Sequence, residues 1–237
     1  MSASTIPRSR GIFLKLPAPE VVELAAQSGL DFVVIDLEHS TLGESEAREL
    51  VRRAHFLDLP AIVRLPHVDS ALINRLLEDG AAGIQISSVT SAATVVALVR
   101  ATRFAPDGDR SLSLAQRAAG FGAVAAADVV AAERARPPLT VIQIETASTV
   151  DQLDEIAAAG ADVMFIGQLD LSVALEFHPD LLAQREKEIA AAAERAGIRL
   201  GGIDPSRGES TYDVIGSDLS ILRVALLATG GSRVSDV

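Results

Sequence analysis

Short apolar runs recur along the chain at intervals that leave room for a helix between each pair. They are Gly11 to Leu14, Phe32 to Asp36, Ala61 to Leu65, Gly83 to Ser87, Thr140 to Glu145, Val163 to Gly167, Ile198 to Ile203 and Leu219 to Val224. Several are rich in β-branched residues and most end in Gly, Pro or a polar side chain, which is the pattern of strands buried on both faces. The intervening segments carry helical periodicity: Ala18 to Ser28, Glu44 to Phe56, Ser70 to Glu78, Ser91 to Thr102, Val150 to Ala159 and Leu181 to Ala196. Asp69-Ser70 and Ser148-Thr149 offer capping oxygens at helix starts, and Gly29, Gly80, Gly160 and Gly197 stand where helices end. The Ala-rich stretch Ala119 to Arg136 also reads as helix.

Eight strand-like runs alternating with helices predict a single-domain (β/α)8 barrel over residues 1–237, with 1–9 and 230–237 as loose termini. A doubly wound open sheet is the structural alternative, but its dinucleotide-binding form needs a G-x-G-x-x-G turn that is missing here.

Composition narrows the function classes. The 237 residues are 49% hydrophobic but only 3% aromatic, so the core must be built from Ala, Val, Ile and Leu. A net charge of −11 without a long basic run argues against nucleic acid and anionic membrane as partners. The absence of cysteine rules out disulfides, thiolate metal sites and a Cys nucleophile. The first ten residues lack the apolar core of a signal peptide, and no apolar stretch approaches the roughly 18 residues needed to span a bilayer. The expected setting is cytoplasmic.

In a barrel, functional groups gather at the carboxyl ends of the strands. The second run ends in Asp36, Glu38 and His39, the third carries Arg64, the fifth ends in Gln143 and Glu145, the sixth runs into Asp170 and the seventh ends in Asp204. Gln143 and Glu145 are two apart and so share a side. Glu145 and Asp170 are hard oxygen donors suited, with water and substrate oxygens, to an octahedral Mg²⁺ or Mn²⁺. Arg64 is a permanent cation able to stabilise an enolate or hold a carboxylate, and His39 is an imidazole suited to proton transfer. Together these types suit chemistry alpha to a carbonyl. Taken singly, each has a plainer role as cap, ion pair or solvated loop residue. Arg52-Arg53 and Arg185 to Glu188 read as solvated helix faces, and His55, His67 and His178 show no partner pattern.

The segments DFVVIDLEHS, AIVRLP, LLEDGAAGIQIS, RFAPDGDRS, VIQIET and GQLDLS occur in order from about Gly11 to about Leu226. In that order the chain resembles the metal-dependent (class II) pyruvate aldolases of the 4-hydroxy-2-oxoheptanedioate and 2-keto-3-deoxy-sugar-acid type. The resemblance implies a barrel, assembly as a hexamer (a trimer of dimers) with exchange of the C-terminal helix, and a divalent metal: Mg²⁺ or Mn²⁺, with Co²⁺ a further candidate. The metal carboxylates fall on Glu145 and Asp170, the enolate-stabilising arginine on Arg64 and the base-relay histidine on His39. Asp36 lies in the same loop to orient that imidazole. A second acidic partner falls on Glu78, and the glutamine beside the metal glutamate is Gln143. The segment of Gly167, Leu169 and Asp170 receives the pyruvate carboxylate. The implied substrates are a small 2-oxo acid and an aldehyde, joined or parted through a pyruvate enolate.

The sequence departs from the pattern in four places, the first being Glu78 in place of a shorter Asp. Gln168 stands where Pro follows Gly, Ser87-Ser88 replaces a Val-Pro segment, and the stretch Val173 to Pro179 is short. These leave room for a CoA-ester lyase, an oxaloacetate decarboxylase, or a catalytically silent binding subunit.

Overall fold

The computed structural model describes residues 9–203 and 211–230. Eight parallel strands close a barrel in sequence order: β1 (Ser9–Leu14), β2 (Phe32–Asp36), β3 (Ala61–Leu65), β4 (Gly83–Ile86), β5 (Leu139–Ile144), β6 (Val163–Ile166), β7 (Arg199–Gly202) and β8 (Tyr212–Ser217). The ring closes through β8 beside β1, with Gly11 opposite Val214. The outer helices are α1 (Pro19–Gln27), α2 (Glu44–Phe56), α3 (Ser70–Glu78), α4 (Ala92–Thr102), α5 (Ala126–Ala135), α6 (Ala147–Val150), α7 (Leu153–Ala157), α8 (Gln168–Ala174), α9 (Pro179–Ala196) and α10 (Asp218–Gly230).

The period of two along each strand sorts side chains into two cores. Val33, Ile35, Val63, Leu65, Ile84, Ile86, Ile142 and Ile144 face outward into the layer between sheet and helices. Phe13, Phe32, Val34, Ile62, Val141, Val163, Phe165, Tyr212 and Val214 fill the barrel interior. There Phe32 stacks on Tyr212 at 4.4 Å, and Phe165 meets the same tyrosine edge-on at 6.1 Å. Phe13, Phe32, Phe165 and Tyr212, half of the chain's aromatics, thus plug the barrel interior.

Following the same inward parity toward the carboxyl ends, apolar gives way to polar. Phe32 and Val34 are followed by Asp36, Ile62 by Arg64, Gly83 by Gln85 and Ser87, and Val141 by Gln143 and Glu145. The register sets Asp36 opposite Arg64 and Arg64 opposite Gln85. One end of the interior is therefore a dry plug and the other a polar rim.

Four expectations are corrected. Leu219 to Val224 is not the eighth strand but the first part of α10; the strand is Tyr212–Ser217, whose Gly216 and Ser217 hide its signal. A continuous apolar run cannot by itself distinguish strand from helix. Leu219, Ile221, Leu222, Val224 and Leu226 of α10 are exposed in the single chain. The helix expected over Val150 to Ala159 breaks at Asp151 and Gln152 into α6 and α7, and the cap of α6 is Thr146, whose hydroxyl accepts from the Thr149 N–H, not Ser148-Thr149. The stretch from Ala119 to Arg136 is a 3-10 turn (Arg117–Gly122) followed by α5, because Gly120 and Phe121 adopt positive φ and interrupt the helix. Ser9, expected in a loose terminus, begins β1, and Gly230 ends α10. Asp204 lies outside the described residues. No helix among the described residues is long and apolar enough to cross a membrane.

Candidate active site

Asp36 ends β2 with no solvent exposure. Arg64, inward-facing on the adjacent strand, donates from Nε to Asp36 Oδ1 at 2.9 Å and from a terminal nitrogen to Oδ2 at 2.6 Å. Lys15, one residue beyond β1, donates from Nζ to the same Oδ2 at 2.5 Å. The backbone N–H groups of Glu38 and His39 donate to Oδ1, each at 3.1 Å. Burial alone raises the Asp36 pKa. Arg64, Lys15 and the His39 N–H more than offset that and hold the carboxyl well below the usual carboxylate range. Asp36 therefore fixes the arginine and the backbone of the following turn; its carboxylate does not reach the His39 imidazole.

That imidazole is 59% exposed at the rim, with Nε2 3.7 Å from Glu38 Oε2. Glu38 is the rim residue to which the sequence reading gave no role. Its Oε1 accepts from Ser87 Oγ at 2.6 Å. Its Oε2 lies 3.2 Å from the remaining Arg64 terminal nitrogen, outside hydrogen-bond alignment, and is a buried acceptor without a hydrogen-bond partner among the described residues. The spacing of two from Asp36 was the signal that could have found it: both carboxylates point to one side of the chain.

Across the barrel, Gln143 and Glu145 line the interior of β5 and its exit. Gln85 Nε2 donates to Gln143 Oε1 at 3.0 Å, and Gln143 Nε2 donates to Glu145 Oε2 at 2.5 Å. Gln85 also went unassigned from sequence. Gly167 precedes α8 so closely beneath this pair that a β-carbon there would sit 2.7 Å from Glu145 Cβ and 2.9 Å from Gln143 Nε2. Only glycine lets α8 start at this distance. Leu169 and Asp170 lie exposed in the first turn of α8, where backbone N–H groups have no intrahelical acceptor.

Glu145 is 8% exposed. Desolvation first, then the charges of Glu38 and Asp170, push its pKa up to about 7, against the lowering effects of Gln143 and Arg64. Three acidic side chains thus converge where compensating positive charge falls short. The donors are hard oxygens, one Glu38 oxygen is buried without a hydrogen-bond partner, and Glu145 is held partly protonated. A divalent cation fits this set, with Glu145 and Asp170 as the residues able to hold it. Among the described residues, no group of three or more His, Cys, Asp or Glu side chains is placed to hold a metal ion, so Glu145 and Asp170 would have to share it with water and substrate oxygens. Two carboxylates leave positions for water and substrate, as an open site requires.

Glu78 does not join the group. It is the last residue of α3, which runs back from the rim, so it lies at the opposite end of the barrel. There its carboxylate accepts from Asn74 at 3.3 Å.

Residues 9–205 match the family model described as HpcH/HpaI aldolase/citrate lyase. The chain is 32% identical to a hydroxypyruvate/pyruvate aldolase of Paraburkholderia phytofirmans over 81% of this chain and 76% of that protein. It is 30% identical to a 5-keto-4-deoxy-D-glucarate aldolase of Salmonella gallinarum over 91% of this chain and 88% of the other. The crystal structure of an HpcH/HpaI aldolase from Desulfitobacterium hafniense superposes with a TM-score of 0.85 at 29% identity, covering 94% of this chain and 91% of that one.

A raised carboxyl pKa makes cation binding compete with a proton. The folded state retains that proton up to about pH 7, whereas the unfolded chain loses it near about 4.3, so the ion finds an ionised Glu145 only as pH rises through about 7. Added Mn²⁺ is expected to raise Tm more at about pH 8 than at about pH 6, and Glu145→Gln to remove most of the shift at both. Equal shifts at the two pH values in the wild type would contradict this account of Glu145.

Proposed function

The chain belongs to the HpcH/HpaI aldolase/citrate lyase family and is a carbon–carbon lyase; from that premise we propose that it makes or breaks the bond between a small 2-oxo acid and an aldehyde through an enolate, with Mg²⁺ or Mn²⁺ (Co²⁺ a further candidate) held by Glu145 and Asp170. The observation that carries this reading is the Glu145 carboxyl, raised to about 7 by burial and by Glu38 and Asp170. A buried acidic cluster with an incomplete charge balance, facing a fixed arginine, is the electrostatic frame that such chemistry needs.

The divalent ion, when bound, supplies Lewis acidity that polarises the 2-oxo group. The protein's own groups do the rest. Arg64 commits Nε and one terminal nitrogen to Asp36, which leaves its other terminal nitrogen to face Glu38 and an incoming oxygen. It is placed to hold the developing enolate oxygen without reorganising. His39, exposed at the rim, takes the proton lost from the methyl carbon, directly or through water, and returns a proton to the aldehyde oxygen after bond formation. The first-turn N–H groups of Leu169 and Asp170 receive the substrate carboxylate. Gln143 holds Glu145 in place, and Gly167 admits the close approach of α8. Decarboxylation of oxaloacetate yields the same enolate and fits the same residues.

Assembly is part of the reading. We take the protein as a homo-oligomer, a hexamer in which α10 reaches a neighbouring subunit. Val224 and Leu226 are 64% and 60% exposed, more than an isolated apolar helix keeps in water at no cost. A neighbouring copy is also the route by which Glu78 can approach another chain's rim.

Two outcomes follow. Proton NMR of pyruvate in deuterium oxide should show loss of the methyl signal that depends on protein and on Mg²⁺ or Mn²⁺. Arg64→Lys, which cannot keep the two-pronged bond to Asp36, should slow the exchange by about a hundredfold. Exchange unaffected by Arg64→Lys would remove the arginine from the enolate site. In sedimentation, the wild type should run larger than a monomer and the Val224→Asp, Leu226→Asp double variant as a smaller species; a monomeric wild type would overturn the assembly.

A further inference from the structure

A lysine bound to the turn that carries His39 was invisible in the apolar pattern. Lys15 continues the inward parity of Gly11 and Phe13, one step past the end of β1, and its side chain is 19% exposed. Its Nζ reaches across to β2 and makes two bonds there: 2.5 Å to Asp36 Oδ2 and 2.8 Å to the carbonyl oxygen of His39.

The backbone of Lys15 is fixed independently. Its N–H and that of Leu16 donate to Asp218 Oδ2 at 2.8 Å and 2.9 Å. Asp218 is the buried first residue of α10, and its other oxygen accepts from the Leu219 N–H at 2.7 Å. The lysine therefore leaves the barrel wall from an anchored base.

These contacts hold the His39 residue at both ends. Its N–H is bound by Asp36 Oδ1 at 3.1 Å, and its C=O by Lys15. Asp36 in turn is held by Arg64, and Ser40 Oγ donates to the Asp36 carbonyl. By contrast, among the described residues the imidazole has only Glu38 at 3.7 Å as a charged neighbour, and it is 59% exposed. With so little around the ring, the backbone that carries it sets the point from which the imidazole projects, and so what it can reach.

We propose that Lys15 is a positioning residue for His39: its ammonium bridges Asp36 and the His39 carbonyl, and so fixes where the imidazole stands relative to Arg64. The catalytic consequence rests on the aldolase reading; the positional one does not. The carboxylates proposed to hold the metal lie across the barrel, on β5 four strands from β1 and on α8 after β6 three strands from it, so loss of the bridge should displace the base and leave the cation site intact.

The test uses the full-length protein with Lys15→Met and the milder Lys15→Gln. The chain has 4 histidines, so imidazole ¹⁵N–¹H correlation spectra are simple, and His39→Gln identifies its signal. Expected are a shifted or broadened His39 signal with the other three unmoved, and Mn²⁺ affinity within about threefold of wild type. Pyruvate methyl exchange at saturating substrate should fall by about tenfold to a hundredfold, the scale for a misplaced proton-transfer group. An unmoved His39 signal, or exchange within about twofold of wild type, would overturn the proposal. Movement of all four signals, or loss of Mn²⁺ binding, would also overturn it, since Lys15 would then serve the fold as a whole. A wild type that exchanges no pyruvate protons, with a His39 signal that still moves in both variants, would leave the positioning standing and remove the aldolase reading instead.

Discussion

The bond between Asp36 and Arg64 is the constraint on which the rim depends. Both side chains are buried, and they meet through two parallel hydrogen bonds at 2.9 Å and 2.6 Å. Such a pair is costly to desolvate, and removing one partner of a buried pair costs about 3–5 kcal/mol because the other charge is left uncompensated. Here the carboxylate is also shared with Lys15 and with the N–H groups of Glu38 and His39. One anion thus organises two cations and a turn. The arginine is held in a single orientation with a nitrogen left over, and the histidine follows from the same anchor.

The opposite wall has the reverse problem. Glu145 is buried, with Glu38 and Asp170 nearby, and the carboxyl responds by holding its proton to about pH 7. Between the two walls a small anionic molecule would find a fixed cation on one side and a place for a divalent ion on the other. Charge separation of this kind is created by topology rather than by local sequence: β2 and β3 supply one half, β5 and α8 the other. The hydrophobic plug of Phe13, Phe32, Phe165 and Tyr212 below makes the interior rigid enough to keep them apart.

Much of this was legible in the sequence because parity in a strand is strict. Asp36, Arg64, Gln143 and Glu145 could be placed on the interior by counting in twos from apolar neighbours. The barrel followed from the alternation of runs. The eighth strand was not legible: Tyr212–Ser217 contains Asp, Gly and Ser, while the more apolar segment after it is a helix whose outer face is left bare in one chain. Glu38, Gln85 and Lys15 were missed for another reason. Each acts through contacts with another strand or its exit, with Ser87, Gln143 and Asp36 respectively; the spacing of two from Asp36 marks the side of Glu38, but no local pattern reports any of these partners. Glu78 fails in the opposite sense. It stands where the family motif has a shorter Asp, and helix direction carries it to the far end of the barrel, so a role beside His39 needs a second subunit.

The central claim is that the two walls divide the work, with a divalent ion at Glu145 and Asp170 and an organic anion between it and Arg64. Anomalous diffraction from crystals grown with Mn²⁺ and pyruvate tests it most directly. The account predicts one strong manganese peak in contact with both Glu145 and Asp170, and pyruvate density reaching from it toward the Arg64 terminal nitrogen that faces Glu38. A peak elsewhere in the protein, or pyruvate bound away from Arg64, would contradict it.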